Sequence, residues 1–345
     1  MKTMNSTYID FSVAIEKYFG QYLVAERGAS SHTIRSYRDN FLIFIRYFEE
    51  VLKIPIEKIK LNIMDRTLVC SYLNWLESDN NNSIRTRNQR LAVLRSFFKY
   101  LMYLDPTHMA QWKVICEIKF KKGSSSLMNY LTIEGMRLLL EQIDTKSRKG
   151  RRDLALLSLL YNSAARVQEL IDLKPCVVRL SKPYGLELTG KGKKTRLVPL
   201  EESTAKLIER YMQEYGLDKI ENSTHPLFFN ERGQKLSPSG VNFIINKYAD
   251  KAREVSAELI PKKISPHCFR HSKSMHLLQA GCPLIYIRDF LGHVSVETTE
   301  IYARTDSAHK RKALEDAYEK VGIKNPEMGI WEKDPKLIAF LKSLS

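Results

Sequence analysis

The stretch VVRLSKPYGLELTGKGKKTRLVP, residues 177–199, is where the chain reads as β structure. Three short runs, Val177 to Leu180, Leu186 to Thr189 and Arg196 to Pro199, are separated by the turn-forming residues Pro183, Gly185, Gly190 and Gly192. They predict one small antiparallel sheet with Lys191 held out on a hairpin tip. On either side the pattern is helical. Upstream, helices are expected over Thr132 to Ile143 and from about Arg152 to Asn162. Downstream they are expected over Ser203 to Tyr215, Ser237 to Arg253, Ser265 to Ala280 closed by Gly281, and Pro283 to Leu291 closed by Gly292. The fold class is therefore mainly α with a small antiparallel β-sheet.

Residues 8 to 104 read as a separate helical region. One helix is expected from Tyr8 to Arg27, ended by Gly28, and a second from near Ser31 with Ile34, Tyr37, Phe41, Phe44, Ile45 and Phe48 at helical spacing. Those aromatics are expected in the core. A third helix spans about Asp65 to Glu77, and a fourth runs from Ile84 to about Tyr103 on a buried stripe of Leu91, Leu94, Phe98 and Leu101. Arg85, Asn88, Arg95 and Lys99 share its other side, where they form either a solvated face or one turned toward a DNA groove and its phosphates. Lys119 to Ser126 has linker composition, a basic cluster followed by Gly and Ser, and the domain boundary is expected there.

The chain carries 55 Lys+Arg against 39 Asp+Glu, a net charge of +16, with +7 in residues 1–126 and +9 in the remainder. A basic excess spread over both regions points to a polyanion, nucleic acid first, as partner. Five scattered cysteines without a CxxC pair argue against a disulfide framework or structural zinc and fit a reducing cytoplasm. No signal-peptide core or bilayer-spanning apolar run is evident, so no membrane association is expected.

Five short motifs carry the chemistry. Arg166 is followed three residues later by Glu169, and Lys191 lies in a Gly-Lys-Gly turn. Ser265-Pro266 offers an N-cap and a first-turn proline, so His267 and Arg270 are expected to share one face near a positive helix N-terminus, a geometry that suits an anion. His267 and His271 are spaced like a zinc pair, but the glutamate of a metalloprotease helix is absent and Arg270 would set a cation beside the metal. Leu291-Gly292-His293 and Thr298-Thr299-Glu300-Ile301-Tyr302 complete the set.

In this order the motifs resemble the active-site signature of tyrosine recombinases, the family of phage integrases and Xer-type resolvases. The resemblance implies a helical core-binding (SAM-like) domain over 1–118, a linker over 119–126, a catalytic domain over 127–320, and an arm for protomer contacts over 321–345. Opening a phosphodiester without a metal requires charge neutralisation on the non-bridging oxygens, which two guanidinium forks, Arg166 and Arg270, can supply. Tyr302 is the expected nucleophile and His267 its proton acceptor. The resemblance implies that Lys191 protonates the leaving 5′-oxygen. His293 is expected to hydrogen-bond the phosphate, and Glu169 to orient His267 or Arg270. Arg85, Asn88, Arg95 and Lys99 are the expected DNA-binding residues of the first domain.

The reading is a site-specific DNA recombinase that works through a 3′-phosphotyrosyl intermediate, without metal or other cofactor. Its expected partners are double-stranded DNA, other copies of the chain in a tetrameric synapse, and accessory DNA-bending proteins. A mobile-element integrase is favoured over an Xer-type chromosome dimer resolvase. A type IB topoisomerase and a catalytically silent DNA-binding protein are less favoured. Two departures stand out: Ala164-Ala165 and Gln168 occupy positions where the family usually has Gly-Leu and Ser.

Overall fold

Residues 8–123, 128–190 and 194–305 are described by a computed structural model, in which the chain divides into two compact units, 1–126 and 127–345. In the first unit, Asp10 opens α1 (Phe11–Lys17) by accepting from the Ser12 and Val13 amides, which lack intrahelical partners. The helix then widens into a π-wound segment, Tyr18–Glu26, where the Arg27 amide donates to the Tyr22 carbonyl five residues back. Gly28, at φ +55°, turns the chain so that the Ala29 amide closes onto the Leu23 carbonyl. Tyr8, expected inside this helix, lies before it, stacked on His108 at 3.6 Å and donating to Gln111 Oε1.

Helices α2 (Ser31–Glu50), α3 (Arg66–Ser78) and α4 (Ile84–Leu104) start at Ser30, Asp65 and Ser83, whose side chains accept from the Thr33, Leu68 and Thr86 amides. A fifth helix, α5 (Met109–Cys116), was not expected; its eight residues are too few to establish a period, yet Trp112 is fully buried and stacks on Phe98. Phe41, Phe44, Phe48 and Phe98, as their spacing implied, join it in one aromatic core, together with Tyr72 and Phe97. The start of the Lys119 to Ser126 segment runs beside α4: the Asn88 amide donates to the Lys121 carbonyl and its Oδ1 accepts from the Lys121 amide.

The second unit begins with α6 (Ile133–Glu141) and α7 (Arg148–Ser163), capped by Thr132 and Ser147, followed by the single-turn α8 (Val167–Ile171). Strands β1 (Val178–Arg179), β2 (Gly185–Thr189) and β3 (Thr195–Pro199) form an antiparallel sheet in sequence order, with Leu186 opposite Val198 and Leu188 opposite Arg196. Gly185, read as a turn residue, is instead the first residue of β2. The period of two buries Leu186, Leu188 and Val198 on the core face. Arg196 is in phase with Val198, so a guanidinium is delivered to the inward edge of the sheet. Helices α9 (Glu202–Glu214), α10 (Pro238–Val255), α11 (Pro266–Gln279), α12 (Leu284–Leu291) and α13 (Glu297–Thr305) complete the unit. A small cluster of Ala164, Met275, Ile287, Leu291 and Tyr302 seats α13 against α11 and α12. No helix among the described residues is long and apolar enough to cross a membrane.

Candidate active site

Arg270, on α11, is only 3% exposed, and two helix ends hold it. Its Nη1 donates to the Ala164 carbonyl at 2.7 Å and its Nη2 to the Leu291 carbonyl at 2.6 Å. These carbonyls lie at the C-termini of α7 and α12, where unpaired backbone acceptors carry partial negative charge. Both helices end in a left-handed residue, Ala164 at φ +47° and Gly292 at φ +63°. The family's usual glycine at position 164 thus has a conformational reason, since a side chain there costs about 1–2 kcal/mol. The other departure, Gln168, is exposed and donates to Asp172 Oδ2.

Glu169 is the hub of the charge network. Its carboxylate accepts from Arg166 Nη1 and the Arg166 amide, and takes both Nη atoms of Arg196 at 3.1 and 2.8 Å. Despite its burial, these partners, the Arg196 hydrogen bonds foremost, hold its carboxyl down at about 2. Its arginine partners are therefore Arg166 and Arg196, while Arg270 is held by backbone carbonyls; the expected orienting contact to Arg270 is replaced by a clamp on the first arginine. Arg196 also donates from Nε to the Phe290 carbonyl. Two motif glycines are closely packed here: a Cβ on Gly190 would lie 3.0 Å from Glu169 Oε1, and one on Gly292, which is also at φ +63°, 3.0 Å from Arg196 Cδ.

Tyr302, on α13, is 1% exposed, and its hydroxyl shares a 3.1 Å hydrogen bond with His271 Nδ1. Burial raises its pKa, opposed by a hydrogen bond with Ser274 and by the charges of Arg270 and Arg166. The histidine at the tyrosine hydroxyl is thus His271, one turn beyond His267. The two imidazoles stack at 5.9 Å, and His267 is exposed on the first turn of α11. Ser265 holds the N-cap backbone position without a side-chain cap bond. His293 Nδ1 hydrogen-bonds Thr299 Oγ1 at 3.0 Å, which ties the Leu-Gly-His turn to the helix carrying Tyr302. Burial first, then neighbouring charge, depresses His271 and His293 to about 4; the charges are His267 and then Arg270 for His271, and Arg270, Arg166 and Arg196 for His293. Burial and Arg166 lower Arg270 to about 10, which leaves it charged at neutral pH. Among the described residues the Glu169 carboxylate pairs with Arg166 and Arg196, and Arg270 has only backbone carbonyls, so the pocket holds excess positive charge.

The structure thus brings Arg166, Glu169, Arg270, His293 and Tyr302 together through hydrogen bonds and electrostatic coupling, with His267 stacked beside them. Lys191 lies outside the described residues. Arg196, Ser274, Thr299 and the role of His271 were missed by sequence reasoning. Arg196 had a usable signal, since a charged residue in phase with an inward-facing valine must find a buried partner. In the first unit, Arg85 and Lys99 are exposed on α4. Arg95 and Lys99 line a cleft of 570 Å³ with Arg27, Tyr22, Tyr37 and Phe120, and Arg95 lies 5.0 Å from the Phe120 ring centre. Asn88 bonds the Lys121 backbone through both ends of its side-chain amide, which fixes its orientation on α4.

The second unit thus sets a buried tyrosine hydroxyl beside a cluster of arginines, and both units have known relatives. Residues 129–309 match the phage integrase family and residues 15–103 its N-terminal SAM-like domain. The chain belongs to this family, the tyrosine recombinases, which are site-specific recombination enzymes. It is 34% identical over 330 residues to the putative integrase/recombinase y4rC of Sinorhizobium fredii, covering 96% of this chain and 97% of that relative. It is 32% identical to the tyrosine recombinase XerC of Myxococcus xanthus, covering 87% of this chain and 98% of that protein. Its fold matches the XerH site-specific recombinase bound to its palindromic difH substrate in a post-cleavage complex, with a TM-score of 0.65, 22% identity, and coverage of 84% of this chain and 80% of that one.

Proposed function

We propose that this chain cuts and rejoins double-stranded DNA at a specific site, with Tyr302 as the nucleophile. The excess positive charge around Arg166, Arg196 and Arg270, beside a tyrosine hydroxyl, carries the reading, because a bound phosphodiester supplies the missing negative charge. The Tyr302 oxygen attacks phosphorus and the bond to the 5′-oxygen breaks, leaving a 3′-phosphotyrosyl link. The hydroxyl proton passes to a neighbouring imidazole, His271 or His267, and Lys191 protonates the departing oxygen. Arg166, Arg270 and His293 hold the non-bridging oxygens. Because Tyr302 is buried, attack requires α13 to open toward the pocket.

Residues 1–118 are assigned to DNA binding, with Arg85, Arg95 and Lys99 on phosphate, 119–126 to a linker, 127–320 to catalysis and 321–345 to contacts between protomers in a tetrameric synapse. The departures at Ala164, Ala165 and Gln168 favour a mobile-element integrase over an Xer-type resolvase. A nicked suicide substrate tests the core of the reading: Tyr302→Phe should bind the DNA yet give no covalent band on a denaturing gel. A persistent band would move the nucleophile elsewhere, with Tyr286, exposed on α12, the first suspect.

A further inference from the structure

We propose that Arg196 is a positioning residue for strand cleavage, locking Arg166 through the Glu169 carboxylate and the end of α12 through the Phe290 carbonyl. Four observations converge on it. Its side chain is 13% exposed and meets the 4% exposed Glu169 with both Nη atoms, at 3.1 and 2.8 Å. The same carboxylate holds the Arg166 guanidinium and amide, so Arg196 and Arg166 are set against one another across two oxygens. Its Nε holds the Phe290 carbonyl, one residue before the Leu291 carbonyl that receives Arg270 and three before His293. Finally, the backbone yields to it at Gly292, where a Cβ would lie 3.0 Å from Cδ and 3.1 Å from Nη1.

Arg196 leaves the sheet on β3, opposite Leu188 of β2, and its side chain is fixed between Glu169 of α8 and Phe290 of α12. One side chain therefore registers two of the catalytic motifs, the Arg166-Glu169 pair and the Leu291-Gly292-His293 turn. Its three bonded nitrogens already face protein acceptors, so its part is to orient other groups. A lysine cannot replace it, because one ammonium cannot form the fork onto Glu169 and reach the Phe290 carbonyl at once.

The inference rests on the phosphate-pocket reading above. The test is single-turnover cleavage of a nicked suicide substrate at saturating DNA, with affinity and thermal melting measured on the same preparations. Arg196→Met and Arg196→Lys should each cleave roughly 10- to 100-fold more slowly, as expected when catalytic groups shift by about an ångström, with DNA affinity little changed. Combined with Glu169→Gln, Arg196→Met should be no slower than the slower single variant, since both act on one path. Cleavage by Arg196→Lys at the wild-type rate overturns the proposal, as does a double variant whose losses multiply. Should Arg196→Met fail to fold, the lysine variant, which keeps the cation, decides by its rate alone. Arg270→Ala run alongside separates the two readings: if it too cleaves normally the pocket reading fails, whereas if it is dead and the Arg196 variants are normal only this inference fails.

Discussion

Arg270 is a cation held where a cation is expensive, and the two helix ends that hold it explain how the chain tolerates it. A guanidinium has five N–H donors, and the Ala164 and Leu291 carbonyls occupy two of them, which leaves donors for phosphate. Arg270→Ala should slow cleavage by about 10²–10³-fold and, by orphaning two buried carbonyls, also destabilise the second unit by about 1–3 kcal/mol. Single-turnover kinetics paired with thermal melts checks both, and a wild-type rate would make the residue purely structural. Acid should act on the same site. His271 and His293 are depressed to about 4 from an ordinary value near 6.5, so the unfolded chain takes up their protons first and stability falls as pH drops through 6.5 toward 4. Glu169, held at about 2 from an ordinary 4.5, acts in the same direction below pH 4.5. Each of His271→Gln and His293→Gln should therefore lose less melting temperature than the wild type between pH 7 and 4.5, with His276, also depressed by burial, keeping part of the slope. An unchanged slope in both would refute this. The identities of Arg166, Arg270, His293 and Tyr302 were legible because spaced motifs recur in one order. The contacts of His271, Arg196 and Thr299 were not, because they join residues brought together only when the sheet, α11, α12 and α13 close around one pocket.

Helix α4 shows how one surface divides between folding and binding. Asn88 spends its amide on the Lys121 backbone, whereas Lys99 is exposed and Arg95 faces a cleft with Arg27. Asn88→Ala should therefore lower the stability of the first unit by about 1–2 kcal/mol, two hydrogen bonds' worth, with little change in the salt dependence of DNA binding. Replacing Arg95 and Lys99 with alanine should do the opposite, weakening affinity and reducing the slope of log affinity against log salt by up to about two, one per lost phosphate contact. Titrations at several salt concentrations beside chemical denaturation separate the two outcomes; an unchanged slope in the double variant removes α4 from the DNA interface. The long helices were legible for a physical reason, since capping residues at Ser30, Asp65, Ser83 and Ser237 precede apolar stripes that a 3.6-residue period demands. Helix α5 was not, because only Trp112, Ile115 and Cys116 of its eight residues are buried, too few to establish a period in the sequence. The π winding of Tyr18–Glu26 also left no periodic trace.

At the scale of the whole chain the basic excess is shared, +7 before residue 127 and +9 after it, so both units are charged to meet the phosphate backbone. A recombinase must also meet its own copies, and the segment assigned to that task, 321–345, lies outside the described residues, so its reading comes from sequence. Gly322, Asn325 and Pro326 interrupt the chain, and Asp334-Pro335 then offers an N-cap and a first-turn proline before Leu337, Ile338, Phe340, Leu341 and Leu344. A helix of about a dozen residues is marginal alone in water, so such an apolar stripe needs a surface to cover it. If that surface belongs to a neighbouring protomer, deleting residues 327–345 should leave a folded protein that binds a single DNA site with normal affinity. The same deletion should abolish cooperative filling of a two-site DNA and cut strand exchange in step. If the surface belongs to the same protomer, the deleted protein should instead melt at a lower temperature and lose single-site binding as well. Native gels on one-site and two-site DNA, read beside a melting curve and a recombination assay, tell these apart, and a truncated protein with full cooperativity and full recombination would remove the segment from assembly altogether.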